Sequence, residues 1–294
     1  MPRFKGNPIL KPVAANAWES RMVFNAAAVH LNGRVRILYR AMGEDGISRL
    51  GYASSSDGYH IDERWRSPIF EPAKPNEKYG CEDPRLTLLD GRYIMTYTAL
   101  PDRVLYAHQI AMTSISREDF AERRWNWGDR WLPFPGVRGK DAVIFPRRID
   151  GRYVMFHRIH PDICVAYSRD LRRWCDIKAV MGPRPAMWDC FKVGAAGPPI
   201  EVDEGWLLIY HGVDASRVYR LGVAVLDREE PERVIHRSEE PILEPVEDYE
   251  RFGYIPNVVF SCGAILLDGQ LLVYYGGADT VIGVATFELN GIIP

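Results

Sequence analysis

Several charged and imidazole side chains in this chain stand where apolar strands begin or end. Asp83 and Arg85 flank a proline in CEDPRL, between an aromatic turn and an apolar strand. Lys140 and Asp141 immediately precede AVIF, His157 and Arg158 close YVMF, and Lys192 sits in CFKVGAAGPP. His211 ends WLLIY, and Asp279 lies inside YYGGADTVIG. A buried charge needs a partner. One such residue therefore reads as a structural ion pair, and a set of them at matching places reads as a polar cleft. Lys140, Arg158, Lys192 and His211 suit an oxyanion such as phosphate, arginine gripping with a planar fork and lysine acting as a point charge. The carboxylates Glu82, Asp83, Asp141 and Asp279 can accept hydrogen bonds from sugar hydroxyls, and one of them can donate a proton.

Other chemistries lack their motifs. Neither G-x-x-x-x-G-K-[ST] nor G-x-G-x-x-G is present, and there is no G-x-S-x-G elbow. Five cysteines at wide spacing, with no C-x-x-C pair, suggest neither a zinc site nor a disulfide framework. HRIHP has the composition of a metal cluster, but alternate strand residues face opposite ways, so His157 and His160 do not share a face. We expect no metal and no cofactor.

The elements that must position these residues recur. NGRVRILYR, DGRYIMTYT, DGRYVMFHR, EGWLLIYHG and DGQLLVYYG each place a turn glycine (Gly33, Gly91, Gly151, Gly205, Gly269) before an apolar strand, about 60 residues apart. Another strand precedes each turn (NAAAVHL, DPRLTLL, VIFPRRI, GPPIEVD, SCGAILL). A third follows (RLGYASSSDG, HQIAMTSISR, DICVAYSRDL, YRLGVAVLDR, TVIGVATFEL), with fourth strands at WRSPIF and RRWCDIK. X-Gly dipeptides between such runs signal hairpins. The best helical stretch, SREDFAERRW, is short and reads as a turn between strands. Three or four strands repeated five times predict an all-β, five-bladed β-propeller forming one domain over residues 1–294. Matching strand ends then meet at the axis. Eight residues before each turn glycine stand Asn25, Asp83, Val143, Gly197 and Ser261, and seven after it Arg40, Thr98, Arg158, Gly212 and Gly276.

Bulk properties agree with this reading. The 294 residues are 47% hydrophobic and 26% charged with a formal net charge of -2, so no basic field invites nucleic acid or an anionic membrane. Aromatics make up 12%, enough both for a β-rich core and for sugar-binding faces. MPRFKGNPILKP holds no signal-like apolar run of about 7–15 residues, and no stretch reaches the ~20 apolar residues of a membrane span. The expected location is the cytoplasm. A homo-oligomer is compatible with the sequence, which leaves the oligomeric state open.

The motifs EDPR (82–85), KDAVIFP (140–146), HR (157–158), FKVGAAGPPI (191–200), GWLLIYHGV (205–213), YIPNVVFSCGAI (254–265) and YYGGADTVIGVA (274–285) together resemble glycoside hydrolase family 130, the β-mannoside phosphorylases and related β-mannosidases. The likeness runs from about Asn7 to Phe287. It implies a five-bladed propeller with Asp83 as general acid. It implies phosphate held by Lys140, Arg158, Lys192, His211 and Tyr219, and a sugar lying against Asn25, Arg40, Glu82, Arg85, Asp141 and Asp279. The implied reaction is inverting: phosphate attacks the anomeric carbon of a terminal β-mannose while Asp83 protonates the leaving oxygen, giving α-mannose 1-phosphate. Some members carry Arg-Asn where this chain has Lys140-Asp141. The segments GCEDPRLT and HRIHPDICVAYSRDL look most like members acting on β-1,2-linked mannose. The alternatives are an inverting β-mannosidase, a phosphorylase of β-1,4-linked mannosyl-glucose or manno-oligosaccharides, and a non-catalytic sugar-binding propeller. The cation set favours phosphorolysis, since hydrolysis needs a second carboxylate as base. Acceptor choice is expected from the loops Glu44–Arg49, Pro72–Tyr79, Asp102–Tyr106 and Pro183–Trp188.

Overall fold

A computed structural model describes residues 2–102 and 107–289. Among them the chain is almost entirely β, in four hydrogen-bonded sheets composed of five antiparallel meanders. The first meander is Met22–Leu31 (β1), Arg34–Met42 (β2), Ser48–Ser55 (β3) and Glu63–Arg64 (β4). The second is Gly80–Leu89 (β5), Arg92–Leu100 (β6) and Gln109–Ser116 (β7), joined to the first by a single parallel bridge, Ser48 to Gly80. The third is Lys140–Ile144 (β8), Tyr153–Ile159 (β9), Asp162–Ser168 (β10) and Trp174–Met181 (β11). The fourth is Lys192–Ala195 (β12), Ile200–Val202 (β13), Gly205–Val213 (β14), Tyr219–Leu226 (β15) and Val234–Arg237 (β16). Val259–Leu267 (β17), Gln270–Gly277 (β18) and Val281–Glu288 (β19) form the fifth. No helix among the described residues is long and apolar enough to cross a membrane.

The turn dipeptides do what their stereochemistry requires. Asn32-Gly33, Asp90-Gly91, Asp150-Gly151 and Asp268-Gly269 all have positive φ at both residues, the type I′ geometry that matches strand twist. The fourth copy differs. Its turn is Asp203-Glu204, with Val202 paired to Gly205; Gly205 has φ 138°, and a Cβ there would lie 2.1 Å from the Leu226 carbonyl oxygen, so this glycine permits close strand approach just after the turn.

Other expected boundaries also move. The fourth strand of the first meander is Glu63–Arg64, just before WRSPIF, from which only Phe70 bridges back to Leu50. VIFPRRI stops being a strand at Ile144, because Pro146 cannot donate to the ladder. GPPIEVD contributes only Ile200–Val202, separated from β12 by Gly197-Pro198-Pro199. SREDFAERRW contains a one-turn helix, Arg117–Ala121 (α1), capped by Ser116 Oγ accepting from the Asp119 amide at 3.0 Å.

The core is divided among the spaces between meanders. One apolar cluster joins the first and second (Leu38, Leu50, Tyr52 with Leu86, Met95), and another the second and third (Ile94, Met112 with Ile144, Met155). A third cluster joins the third and fourth meanders (Phe145, Phe156 with Trp206, Leu208), and a fourth the fourth and fifth (Ile209, Val223 with Leu271, Val273). The last brings the fifth back to the first (Leu272, Ile282 with Val23, Ile37). The N-terminal segment lies against β19, with Arg3 bridging Ala285 and Leu10 bridging Ile282.

Four meanders carry the same buried staple: a carboxylate just before the first strand, a tyrosine on the strand after the turn, and an arginine at the outer edge. Glu19 accepts from Tyr39 at 2.9 Å and Arg64 at 2.6 Å. Glu77 accepts from Tyr97 and from Arg130. Asp189 takes Tyr210 at 3.0 Å and Arg237 at 2.7 Å, and Glu250 takes Tyr275 and Arg3, both at 2.7 Å. All four carboxylates are fully buried, so each needs both donors. In the third meander His157 occupies the tyrosine position, stacked on Phe134 at 4.7 Å.

Candidate active site

Matching positions of the meanders are set by register, and register differs from a fixed offset to the turn glycine. Phe24 pairs with Arg40, Glu82 with Thr98, Lys140 with Arg158, Gly194 with His211, and Phe260 with Gly276. The next residues, Asn25, Asp83, Asp141, Ala195 and Ser261, are therefore equivalent. Val143 and Gly197, expected from counting, are not among them. Val143 is a core residue displaced by the longer β8–β9 connection, and Gly197 follows the break in the fourth meander.

The ladder slips after Phe24, Glu82 and Lys140, and the residue at each bulge adopts a left-handed conformation: Asn25 (φ 50°), Asp83 (φ 52°) and Asp141 (φ 57°). Asn and Asp tolerate this region better than other side-chain-bearing residues. A bulge re-aims the side chain it carries. Asp279, at φ 51° in the turn between β18 and β19, arrives by the same stereochemistry.

Two cavities result. The smaller, about 170 Å³, is lined by Asn25, Arg40, Asp83, Lys140, Arg158, Tyr219, Ile255, Val258, Phe260 and Asp279. The larger, about 490 Å³, is lined by His108, Arg138, Gly139, Lys140, Arg158, Ile159, His160, Phe191, Lys192 and Arg217, with no carboxylate among the described residues of its wall. Lys140 and Arg158 belong to both.

In the smaller cavity Asp83 Oδ1 accepts from Asn25 Nδ2 at 2.8 Å and from Arg40 Nη1 at 3.2 Å. Burial alone would push its pKa up, but Arg40, Lys140 and Arg85 outweigh burial and hold the carboxyl below its ordinary value. Asp279 goes the other way, pushed up to about 6 by burial and by the neighbouring charge of Asp83, against Arg40. Asp279 therefore keeps its proton to a higher pH than Asp83 does. Asn25 Oδ1 is buried with no partner, an acceptor free for a ligand hydroxyl.

The remaining expected residues lie under the cavity walls. Glu82 accepts from Arg40 Nη2 at 2.6 Å and from Ser48 Oγ at 3.1 Å, so it fixes Arg40. Arg85 donates to the carbonyls of Ala196 (2.7 Å), Ala195 (3.3 Å) and Asp83 (3.0 Å) and to Asp141 Oδ1 (3.1 Å). Asp141 lies between Arg85 and Arg158, the latter at 2.8 Å. Burial would raise its pKa, but Arg158, His211 and Arg85 hold it well below the usual carboxylate range. His211 is fully buried, with Nε2 3.3 Å from Arg158 Nη1, and burial keeps its imidazole neutral. Gly194 makes room for this group: a Cβ there would stand 2.4 Å from His211 Cε1 and 2.7 Å from Asp141 Oδ2.

In the larger cavity Lys192 Nζ donates to the Tyr219 hydroxyl at 2.6 Å. Burial, then Arg158 and Lys140, push its ammonium down to about 7. Burial, then Lys140 and Arg138, push His108 down to about 4. Arg217 lies over the Phe191 ring at 3.8 Å.

The structure thus gathers Asn25, Arg40, Asp83, Lys140, Arg158, Lys192, Tyr219 and Asp279 at the cavities, and sets Glu82, Arg85, Asp141 and His211 behind them. Sequence reasoning missed His108, Arg138, His160, Arg217 and Ile255. Arg138 was legible, two residues before Lys140 and so on the same side of an extended chain. The others come from connections without a local signal. No described residue of the loops expected to choose the acceptor lines either cavity, and residues 103–106 of one of them lie outside the described residues.

Comparison with known proteins adds relatives to this geometry. A family model described as beta-1,4-mannooligosaccharide phosphorylase matches residues 3–294. The 1,2-beta-oligomannan phosphorylase of Thermoanaerobacter sp. (strain X514) is 44% identical, with 99% of this chain and 98% of that one covered. The beta-1,2-mannobiose phosphorylase of the same strain is 42% identical, covering 97% and 96%. The solved beta-1,2-mannobiose phosphorylase of Listeria innocua, in complex with beta-1,2-mannobiose, superposes with a TM-score of 0.85 at 27% identity, covering 99% of this chain and 97% of that one.

Proposed function

Because the chain belongs to glycoside hydrolase family 130, we propose that it is an inverting β-mannoside phosphorylase that releases α-mannose 1-phosphate from the end of β-1,2-linked mannosides. The observation carrying this reading is the pair of cavities that meet at Lys140 and Arg158, one cationic and, among the described residues, free of carboxylates, the other built around Asp83. An anion held by Lys140, Arg158 and Lys192 stands on one side of a sugar whose hydroxyls meet Asn25, Arg40 and Asp279. Asp83 protonates the leaving oxygen, and attack from the opposite face inverts the anomeric carbon.

The proton follows from the electrostatics. Lys140 and Arg40 favour ionised Asp83. A phosphate at Lys140 and Arg158 offsets that positive field, which raises the affinity of Asp83 for a proton. Asp279, pushed up to about 6, takes up a proton in the same cavity as the pH falls toward that value. Asp141 is committed to Arg85 and Arg158 and so is unsuited to activate water. That favours phosphorolysis over hydrolysis. Glu82, Arg85 and Asp141 act by positioning, and His211 supports Arg158.

The order of the core clusters, first to second meander and onward until the fifth meets the first again, supports reading the meanders as blades of a single five-bladed propeller domain. The N-terminal segment lying on the last strand supports it as well. The identities of 44% and 42% to enzymes named for β-1,2-linked mannose support that linkage.

The test is incubation with β-1,2- and β-1,4-mannobiose, with and without phosphate, followed by assay for mannose 1-phosphate and for free mannose. We expect phosphate-dependent mannose 1-phosphate from the β-1,2 substrate. Free mannose without phosphate would make the protein a hydrolase, and preference for the β-1,4 substrate would overturn the linkage.

A further inference from the structure

The cavity around Asp83 has one exposed wall residue. Ile255 is 40% exposed, while the other lining residues are buried or half-buried. The cavity thus meets the larger, cationic cavity at Lys140 and Arg158 and reaches the surface at Ile255. At about 170 Å³ it suits a single sugar ring, and with the anion on the Lys140–Arg158 side the chain beyond the cleaved bond leaves past Ile255.

The surface it meets there is aromatic. Phe252 is 70% exposed and Tyr254 59%, the two most exposed large apolar side chains among the described residues. They sit on a strap fixed at both ends to site elements. On one side the Tyr254 amide donates to Thr280 Oγ1 at 3.1 Å and the Ile255 amide to the Ala278 carbonyl at 3.2 Å, the turn that carries Asp279. On the other the Tyr219 amide donates to the Asn257 carbonyl at 3.1 Å. Gly253 faces the turn so closely that a Cβ would lie 2.5 Å from the Ala278 oxygen. Phe252 and Tyr254, on either side of it, are thereby presented to solvent together. Two exposed rings on the strap that supplies Ile255 to the cavity wall match the apolar face of a pyranose.

We propose that Phe252 and Tyr254 form a platform for the sugar residues beyond the cleaved bond, so that the enzyme selects β-mannan chains of three or more residues over the disaccharide. The proposal rests on the mannoside reading above. The experiment measures kcat/KM for phosphorolysis of β-1,2-mannobiose and β-1,2-mannotetraose in the wild type, Phe252→Ala, Tyr254→Ala and the double variant, with Phe252→Trp as the conservative control. The wild type is expected to favour the tetrasaccharide. Each alanine lowers the tetraose-to-biose ratio about three- to tenfold, through KM and not kcat, and Phe252→Trp restores it. A ratio unmoved in the double variant overturns the proposal. So does an equal loss on both substrates, or a change of molecular mass in solution with the ratio constant, which would make the patch a contact between copies. If no β-mannoside is turned over, the functional reading fails first. Calorimetric binding of the tetrasaccharide to wild type and double variant then decides the platform by itself, equal affinities or no binding overturning it.

Discussion

Phosphate binding is expected to weaken as pH rises above 7, through loss of the Lys192 charge. Burial together with Arg158 and Lys140 brings this ammonium down to about 7, because desolvation and neighbouring cations both favour losing a proton. A phosphate placed among them stabilises the charged form, so binding takes up a proton. If only the protonated site binds, the apparent dissociation constant is the intrinsic one divided by the protonated fraction. With a pKa of about 7 the penalty is about twofold at pH 7, about elevenfold at pH 8 and about a hundredfold at pH 9. The sign follows from the group. A lysine with a depressed pKa loses its charge, and with it the anion site, as pH rises through that value. The assay is the KM for phosphate from initial rates of mannose 1-phosphate release between pH 6 and 9, in the wild type and in Lys192→Arg. Taking the ratio of the two enzymes cancels the titration of phosphate itself. The logarithm of that ratio is expected to climb with a slope near one above pH 7. A flat ratio, or an equal rise in the KM for the mannoside, would refute the reasoning.

Asp83→Asn is expected to lower turnover by about 10²–10⁴-fold, the usual range for a lost general acid, with the melting temperature preserved; near-normal rates would remove Asp83 from that role. Asp141→Asn leaves Arg85 and Arg158 buried with no counter-charge between them, and urea unfolding should show a loss of about 3–5 kcal/mol. Gly194→Ala forces a methyl group against His211 and Asp141, and should cost about 1–3 kcal/mol of stability together with an increased KM for phosphate. A variant equal to wild type in both would mean that the His211–Arg158 support is dispensable.

The staples explain how such a site stays rigid although it is assembled from separate meanders. Each carboxylate fixes the chain before a first strand, and those strands bring Asn25, Asp83, Lys192 and Phe260 to the cavities. The third meander, with His157 in the tyrosine position, has no such staple at that residue, and its edge beside Arg138 and His160 borders the larger cavity.

Much of this was written locally. Asn-Gly and Asp-Gly dipeptides between apolar runs encode I′ turns by short-range sterics, so the recurring hairpins could be read without coordinates. The same holds for the charged residues at strand ends, since Asp83, Lys140, Arg158 and Lys192 break apolar patterns that packing alone would have kept. Tertiary structure alone decided which of those charges face a cavity and which support it. Arg85 and Asp141 look no different in sequence from Arg40 and Asp83, yet they spend their hydrogen bonds on Ala195, Ala196 and each other, because bulges and register fix depth. Counting back from the turn glycine failed at Val143 and Gly197, where a longer connection and a proline break changed the offset. Arg217, Ile255 and the pairing of Arg3 with Glu250 depend on segments far apart in the chain meeting across the molecule. Local stereochemistry carries no record of such meetings, since their geometry exists only once the meanders have packed.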